Sequence, residues 1–272
     1  NSPTPGTSSG PTVDIYVNGA LLPELTAVPY RAATAYLDVP AATDIEVGVA
    51  VSPSSGPEDA IATFPLGQLV DGVQYTVTAT GIVGDTDTPF DLAVGGGQTT
   101  AGSAENVAIQ AYHGSTDAPA VDVDARLVGN LISNLSYGSY SGYLEVPAGL
   151  YYLDVRAAGD PNIVATFEAD LSGLGGAAAN VFASGLLGDT PAFGLFAALP
   201  DGTVVELPAT EVARLQLIHN SPSPSVDIYV NGALYEDDFV YRTATEFRTI
   251  PAGVELDIAV ALDNSTGPGD AV

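Results

Sequence analysis

Lysine, cysteine, methionine and tryptophan are all missing from this chain of 272 residues. Six arginines are its only fixed cations; they face 33 aspartates and glutamates, leaving a formal net charge of -27. That balance excludes nucleic acid as a natural partner, because holding a phosphate backbone takes clustered cations. Anionic membrane surfaces are disfavoured on the same ground. Without cysteine there is neither a disulfide framework nor a thiolate metal site. Without lysine, the Lys–Asn isopeptide cross-links of some Gram-positive pili cannot form. No run approaches the roughly 20 apolar residues of a membrane-spanning helix, so membrane insertion is not expected. No Gly-rich phosphate loop precedes a helix, and Gly95-Gly96-Gly97 reads as linker. With no methionine, residue 1 reads as a processed end or a fragment boundary.

What is present points to an all-β fold. The hydrophobic fraction of 46% is that of a chain that folds rather than one that stays disordered. Apolar and polar residues alternate in Val13-Asp14-Ile15-Tyr16-Val17-Asn18, which puts Val13, Ile15 and Val17 on one strand face and Asp14 and Tyr16 on the other. Asn18-Gly19 and Asn231-Gly232 supply the positive φ that a type I′ hairpin needs. The same period recurs at Ile45-Val47-Val49-Val51, Tyr75-Val77-Ala79, Leu144-Val146 and Ile258-Val260-Leu262, and no long segment shows a helical period.

The chain repeats itself. Val13 to Leu21 recurs unchanged as Val226 to Leu234, with a diverged copy, Val121 to Gly129, between them. A second landmark follows each copy: Tyr36-Leu37-Asp38-Val39-Pro40-Ala41, Tyr143-Leu144-Glu145-Val146-Pro147-Ala148 and Phe247-Arg248-Thr249-Ile250-Pro251-Ala252. The copies stand about 105 residues apart, the size of one immunoglobulin-like sandwich of about seven strands. The expected architecture is therefore tandem immunoglobulin-like antiparallel β-sandwich domains: residues 1–104, lacking a first strand; 105–210; and 211–272, the first half of a third. Gly95 to Ser103 and Pro208-Ala209-Thr210 read as the joints. A lone half-sandwich exposes apolar faces and strand edges. Either the chain is a piece of a longer array or neighbours complete each other by exchanging strands. Val226, Ile228, Val230, Leu215 and Leu217 are the strand-pairing candidates for that contact.

The opening His113-Gly114-Ser115-Thr116-Asp117-Ala118-Pro119-Ala120-Val121-Asp122-Val123, its counterpart His219-Asn220-Ser221-Pro222 with Val226 to Gly232, and the later Gly142-Tyr143-Leu144-Glu145-Val146-Pro147-Ala148-Gly149 resemble a bacterial secreted module known as domain of unknown function 4397. The middle copy departs at Asp124-Ala125-Arg126, where Tyr-Val-Asn is expected. The first carries the insertion Gly6 to Pro11 and lacks the leading His. The resemblance implies a β-sandwich at or beyond the cell surface and brings no catalytic residues.

His113 and His219, with Ser115, Ser221, Asp122 and Asp227, superficially offer the members of a hydrolase triad. Their repetition in tandem favours a loop-fixing hydrogen bond at the end of a first strand instead. No cofactor is expected beyond calcium, for which Asp85, Asp87 and Asp91 are the first candidates and Glu236, Asp237 and Asp238 the second. Asp122 and Asp124, or Asp14, share a strand face that reads as solvated. Tyr137, Tyr140, Tyr143, Tyr151 and Tyr152 cluster in the middle copy, where cross-strand packing is favoured over sugar stacking or an interface. The leading functional expectation is a secreted, non-enzymatic structural protein of a cell-surface fibre or adhesin stalk, whose main partner is itself. A carbohydrate- or matrix-binding module is the alternative, and a secreted hydrolase the weakest reading.

Overall fold

The computed structural model describes residues 12–271 apart from Leu127, Pro161, Asn231 and residues 253–255. The insertion Gly6 to Pro11 and the Asn231 half of the second Asn-Gly turn lie outside the described residues. Everything described is β-structure joined by turns and single 3-10 turns, and no helix is long and apolar enough to cross a membrane.

The first segment contains β1 (Val13–Val17), β2 (Ala20–Leu21), β3 (Asp44–Val51) and β4 (Ala60–Gln68) in one sheet of order β2-β1-β3-β4. A separate hairpin joins β5 (Tyr75–Thr80) to β6 (Asp91–Gly96). Asn18 and Gly19 both adopt positive φ between the paired Val17 and Ala20, so the Asn-Gly turn forms as its chemistry requires.

The middle segment is a complete two-sheet sandwich. It comprises β7 (Asn106–His113), β8 (Val121–Ala125), β9 (Gly129–Leu135), β10 (Tyr140–Pro147), β11 (Leu150–Ala157), β12 (Ile163–Asp170), β13 (Ala178–Ser184), β14 (Gly194–Ala198) and β15 (Val204–Leu207). One sheet runs β12-β11-β8-β9 and the other β10-β7-β13-β14-β15. Phe167, Ala169, Leu153, Val155 and Ala125 from the first meet Leu195, Ala197 and Leu207 from the second, an apolar layer in which each large side chain contributes about 1.5–3 kcal/mol. The nine strands exceed the seven expected, and the β7–β13 pair is parallel, so the sheets are not antiparallel throughout.

The third segment holds β16 (Val212–Leu215), β17 (Ile218–His219), β18 (Val226–Val230), β19 (Ala233–Phe239), β20 (Thr243–Ala244), β21 (Arg248–Pro251) and β22 (Ile258–Leu262). β16 and β17 pair with β21 and β20, and β18 lies between β19 and β22. This corrects the expectation for the strand-pairing candidates. Val226, Ile228 and Val230 are buried with Tyr235 and Phe239, and Leu215 and Leu217 pack against them, so all five serve the segment's own core. Both edges of β18 are already paired within the chain.

The two joints are not free linkers either. Gly95 and Gly96 belong to β6, Gly97 N donates to Gln74 O, and Ala101 N donates to Gly176 O. At the other joint Glu168 N donates to Pro208 O and Thr210 N to Thr166 O, which adds this stretch to the edge of β12. In contrast Tyr36 to Pro40, the counterpart of β10, forms no strand. β10 is held by β7, and no described strand occupies the β7 position in the first segment.

Candidate functional site

The aspartate of each repeated strand is the first element of the site. Asp14 is 2% exposed, against the expectation of a solvated face, because the chain returns over it. Its carboxylate accepts from Ala27 N (2.8 Å), Ser54 N (2.8 Å) and Ser54 Oγ (2.6 Å). Asp122 accepts from Asn134 N and Gly159 N, and Asp227 from Asp238 N and Ser265 Oγ. Ala27, Asn134 and Asp238 all have φ near +50°. Each aspartate thus pins a left-handed residue, a conformation that costs a non-glycine residue roughly 1–2 kcal/mol. Hydrogen bonds from Ser54 and Ala27 hold the Asp14 carboxyl far below the ordinary range; those from Gly159 and Asn134 lower Asp122, and the Ser265 hydroxyl leads for Asp227.

Four residues beyond each pinned residue stand Arg31, Gly138 and Arg242, again left-handed at φ 64°, 76° and 65°. Each follows a tyrosine: Tyr30, Tyr137 and Tyr241. Arg242 N and Gly138 N donate to His219 O and His113 O, which confirms the structural match of these turns. His113 and His219 in turn donate from Nε2 to Pro119 O and Pro224 O. The Ser115 hydroxyl donates to Gly185 O (2.7 Å), and Asp117 accepts from Leu187 N. The His-x-Ser-x-Asp loop therefore braces the turn from β13 to β14, with no serine–histidine side-chain pair.

That braced turn is a socket for Arg31. The guanidinium donates from Nη2 to Ser184 O (3.0 Å) and Ala192 O (2.8 Å) and from Nε to Ser184 Oγ (3.2 Å). It lies 4.3 Å from the Phe196 ring centroid and 4.9 Å from that of Tyr30. Tyr30 shares a hydrogen bond with Ser184 Oγ (2.6 Å), while Tyr137 of the middle segment shares one with Thr80 of the first (3.2 Å). Tyr36 pairs with Thr76 and Tyr143 with Asn180, and Asn180 Nδ2 donates to Thr76 Oγ1 across the seam. The same contacts thus run in both directions, as about a local two-fold axis. Tyr140 completes the seam through Thr78 Oγ1 (2.6 Å). Burial pushes the Tyr112 and Tyr143 hydroxyls up to about 12.

The calcium candidates Asp85, Asp87 and Asp91 do not gather. Asp85 Oδ1 accepts from Asp87 N and Thr88 N to close its own turn, and Asp91 accepts from Leu92 N. Among the described residues, carboxylates whose oxygens come within 4.8 Å of one another are Asp227, Asp237 and Asp238. This trio contains two of the second candidates, with Asp227 in place of Glu236. Desolvation, then Asp238 and Asp227, raise the Asp237 carboxyl.

All this geometry grows from the strand–turn motif, and the family comparison meets it there. Residues 5–124 match the family described as a domain of unknown function (DUF4397). The matched stretch runs from ahead of β1 into β8, so it contains the first copy of the repeated strand, the Tyr30-Arg31 turn and the first four residues of the second copy. No curated protein and no solved structure matches the chain. What sequence reasoning missed is the Tyr-Arg pair. Its recurrence at Tyr30-Arg31 and Tyr241-Arg242, in a chain with six cations, was the available signal.

Proposed function

We propose that this chain is an extracellular structural protein, a segment or subunit of a cell-surface fibre or adhesin stalk built from tandem β-sandwich units. The observation that carries the reading is the seam between the first and middle segments. Successive sandwiches are locked sheet to sheet through Arg31, Tyr30, Tyr137 and Tyr140 instead of hanging on the Gly95 to Ser103 stretch. A fixed angle between neighbours is what a stalk needs and what a flexible binding array does not. The charge of -27 supports it, since self-repulsion disperses extended polymers and salt shortens its reach to about 8 Å at physiological strength. The outer edges of β5 and of β16–β17 are unpaired among the described residues, with β7–β13 as the pattern for strand pairing between neighbours. The glycan-binding alternative has less to draw on, because Tyr137, Tyr140 and Tyr143 are engaged at the seam.

Electron microscopy of the full chain at low and high salt, with small-angle scattering on the same samples, tests the reading. Regular filaments, or rods of fixed inter-unit angle, are the expected result. A particle that stays single across salt and calcium concentrations, with units that reorient freely, would overturn it.

A further inference from the structure

The third segment repeats the elements that hold the first segment against the middle one, and there they face solvent. Tyr241-Arg242 matches Tyr30-Arg31 in sequence, in the left-handed arginine (φ 65° against 64°) and in the guanidinium standing over the preceding ring (4.8 Å against 4.9 Å). Phe247 occupies the Tyr36 position and is 54% exposed; Ile218 occupies the Tyr112 position and is 69% exposed, whereas Tyr112 is 3% exposed under the first segment. Arg214 stands over the Phe247 ring. A face with two aromatic rings, an isoleucine and two arginines is thus uncovered on an acidic molecule, and exposed apolar patches of this kind mark contact surfaces.

We propose that this face docks onto the middle segment of a second copy of the chain, Arg242 entering the socket formed by Ser184, Gly185, Ala192 and Phe196 in the way Arg31 does within one chain. The occupant is chosen by the chemistry the plug already satisfies in the fold: two backbone carbonyls, a hydroxyl and a ring face. Charge agrees, because Asp117 and Asp189 sit on that turn and in the loop bracing it. The contact joins unlike surfaces, so repetition builds an open chain rather than a closed dimer. Within a single chain the first segment competes at an effective concentration of roughly millimolar. Exchange between copies therefore resembles segment swapping and grows when the Arg31 contact is weakened. The inference rests on the structural reading above, yet it is separable from it: filaments could fail to form while this pairwise binding persists, and the reverse.

The test uses the full chain. The Arg31→Ala variant, whose socket is vacated, is immobilised and probed with the wild-type chain and with Arg242→Ala. Wild type is expected to bind at least about tenfold more tightly than Arg242→Ala, as for the loss of a central arginine anchor. Wild type should also bind immobilised wild type more weakly than it binds Arg31→Ala. No binding to Arg31→Ala, or equal binding by wild type and Arg242→Ala, would overturn the proposal. If Arg31→Ala does not fold, Arg31→Lys loosens the same socket while keeping the charge, and the same ranking must hold. Tighter binding that depends on Phe247 but not on Arg242 would also count against it, since an unspecific apolar contact would give that result.

Discussion

Replacing Asp154 by alanine should cost the middle sandwich about 3–5 kcal/mol, the penalty for stranding one partner of a buried ion pair. Asp154 faces Arg126 between β11 and the end of β8, with side-chain exposures of 8% and 5%. Arg126 Nε donates to Asp154 Oδ2 (2.7 Å), and Nη2 reaches both Oδ1 and Thr166 Oγ1 (3.0 Å). Thr166 in turn donates to Asp154 Oδ1 (2.7 Å). Nη1 of Arg126 is already buried without a partner, so once the carboxylate is gone the Thr166 hydroxyl is left as the side-chain acceptor for the buried cation. The chain has no tryptophan to report unfolding, and several segments need not unfold together, so amide exchange across β8, β11 and β12 is the suitable assay. The expected loss of protection is about 10²- to 10⁴-fold, at about 1.4 kcal/mol per decade. A triple change, Arg126→Met, Asp154→Leu and Thr166→Val, removes every member of the network at once and should recover most of the loss. A loss below about 1 kcal/mol for Asp154→Ala, the range of an exposed pair, would refute the reasoning.

The remaining predictions concern pH, the seam and the acidic trio. Asp14, Asp122 and Asp227 have carboxyls lowered by hydrogen bonds, so their folded values lie below the unfolded value of about 4; the stability they supply is complete above that pH and is lost as pH falls toward the folded values. A pH series of thermal melts should be flat from about 7 to 5 and fall below about 4, and Asp14→Asn should flatten that acid limb; an unchanged limb would contradict the assignment. Gly95→Ala places a methyl 2.8 Å from the Tyr140 ring and should cost about 1–3 kcal/mol, opening exchange at Thr76 to Thr80, whereas Gly96→Ala, with open space around it, should be silent. Asp237, whose carboxyl is raised by desolvation and by Asp238 and Asp227, contributes repulsion at neutral pH, so Asp237→Asn should raise the melting temperature and abolish any stabilisation by millimolar calcium.

The strands themselves were legible because alternation and turn chemistry are local. β1, β3, β5, β10 and β22 fall where period two places them, and Asn18-Gly19 makes the turn its φ preference demands. Burial of the second face was not legible. Alternation predicts a wet side for Asp14, but only the tertiary path shows residues 27 and 54 folding back onto it. The Gly95 to Gly97 run misled for a related reason. Its composition is that of a flexible joint, whereas its lack of side chains makes room for the Tyr140 and Tyr36 rings. The plug was hidden because Arg31 and Gly138 look unrelated in sequence while filling one left-handed position.

The departure of the middle copy from the repeat has a physical account that no single position reveals. In the outer copies Tyr16 stands opposite Gly48 and Tyr229 opposite Ala259, and each tyrosine hydroxyl bonds a serine, Ser54 or Ser265, that also bonds the strand's aspartate. A ring needs a small residue across the ladder, and Gly48 and Ala259 provide it. In the middle copy Asp124 replaces the tyrosine, and its cross-strand neighbour becomes Asp154. Two facing carboxylates repel, and the copy also carries Arg126 in place of Asn18 and Arg156 opposite Asp122, where Ala50 stands opposite Asp14. Arg126 takes Asp154 and Arg156 takes Asp124, so two acids and two bases substitute for one ring and its small neighbour. Arg126 or Asp154 alone would leave a buried charge, their side chains being 5% and 8% exposed. The changes compensate one another, which is why the motif looked broken in one strand while the two-sheet sandwich around it is intact.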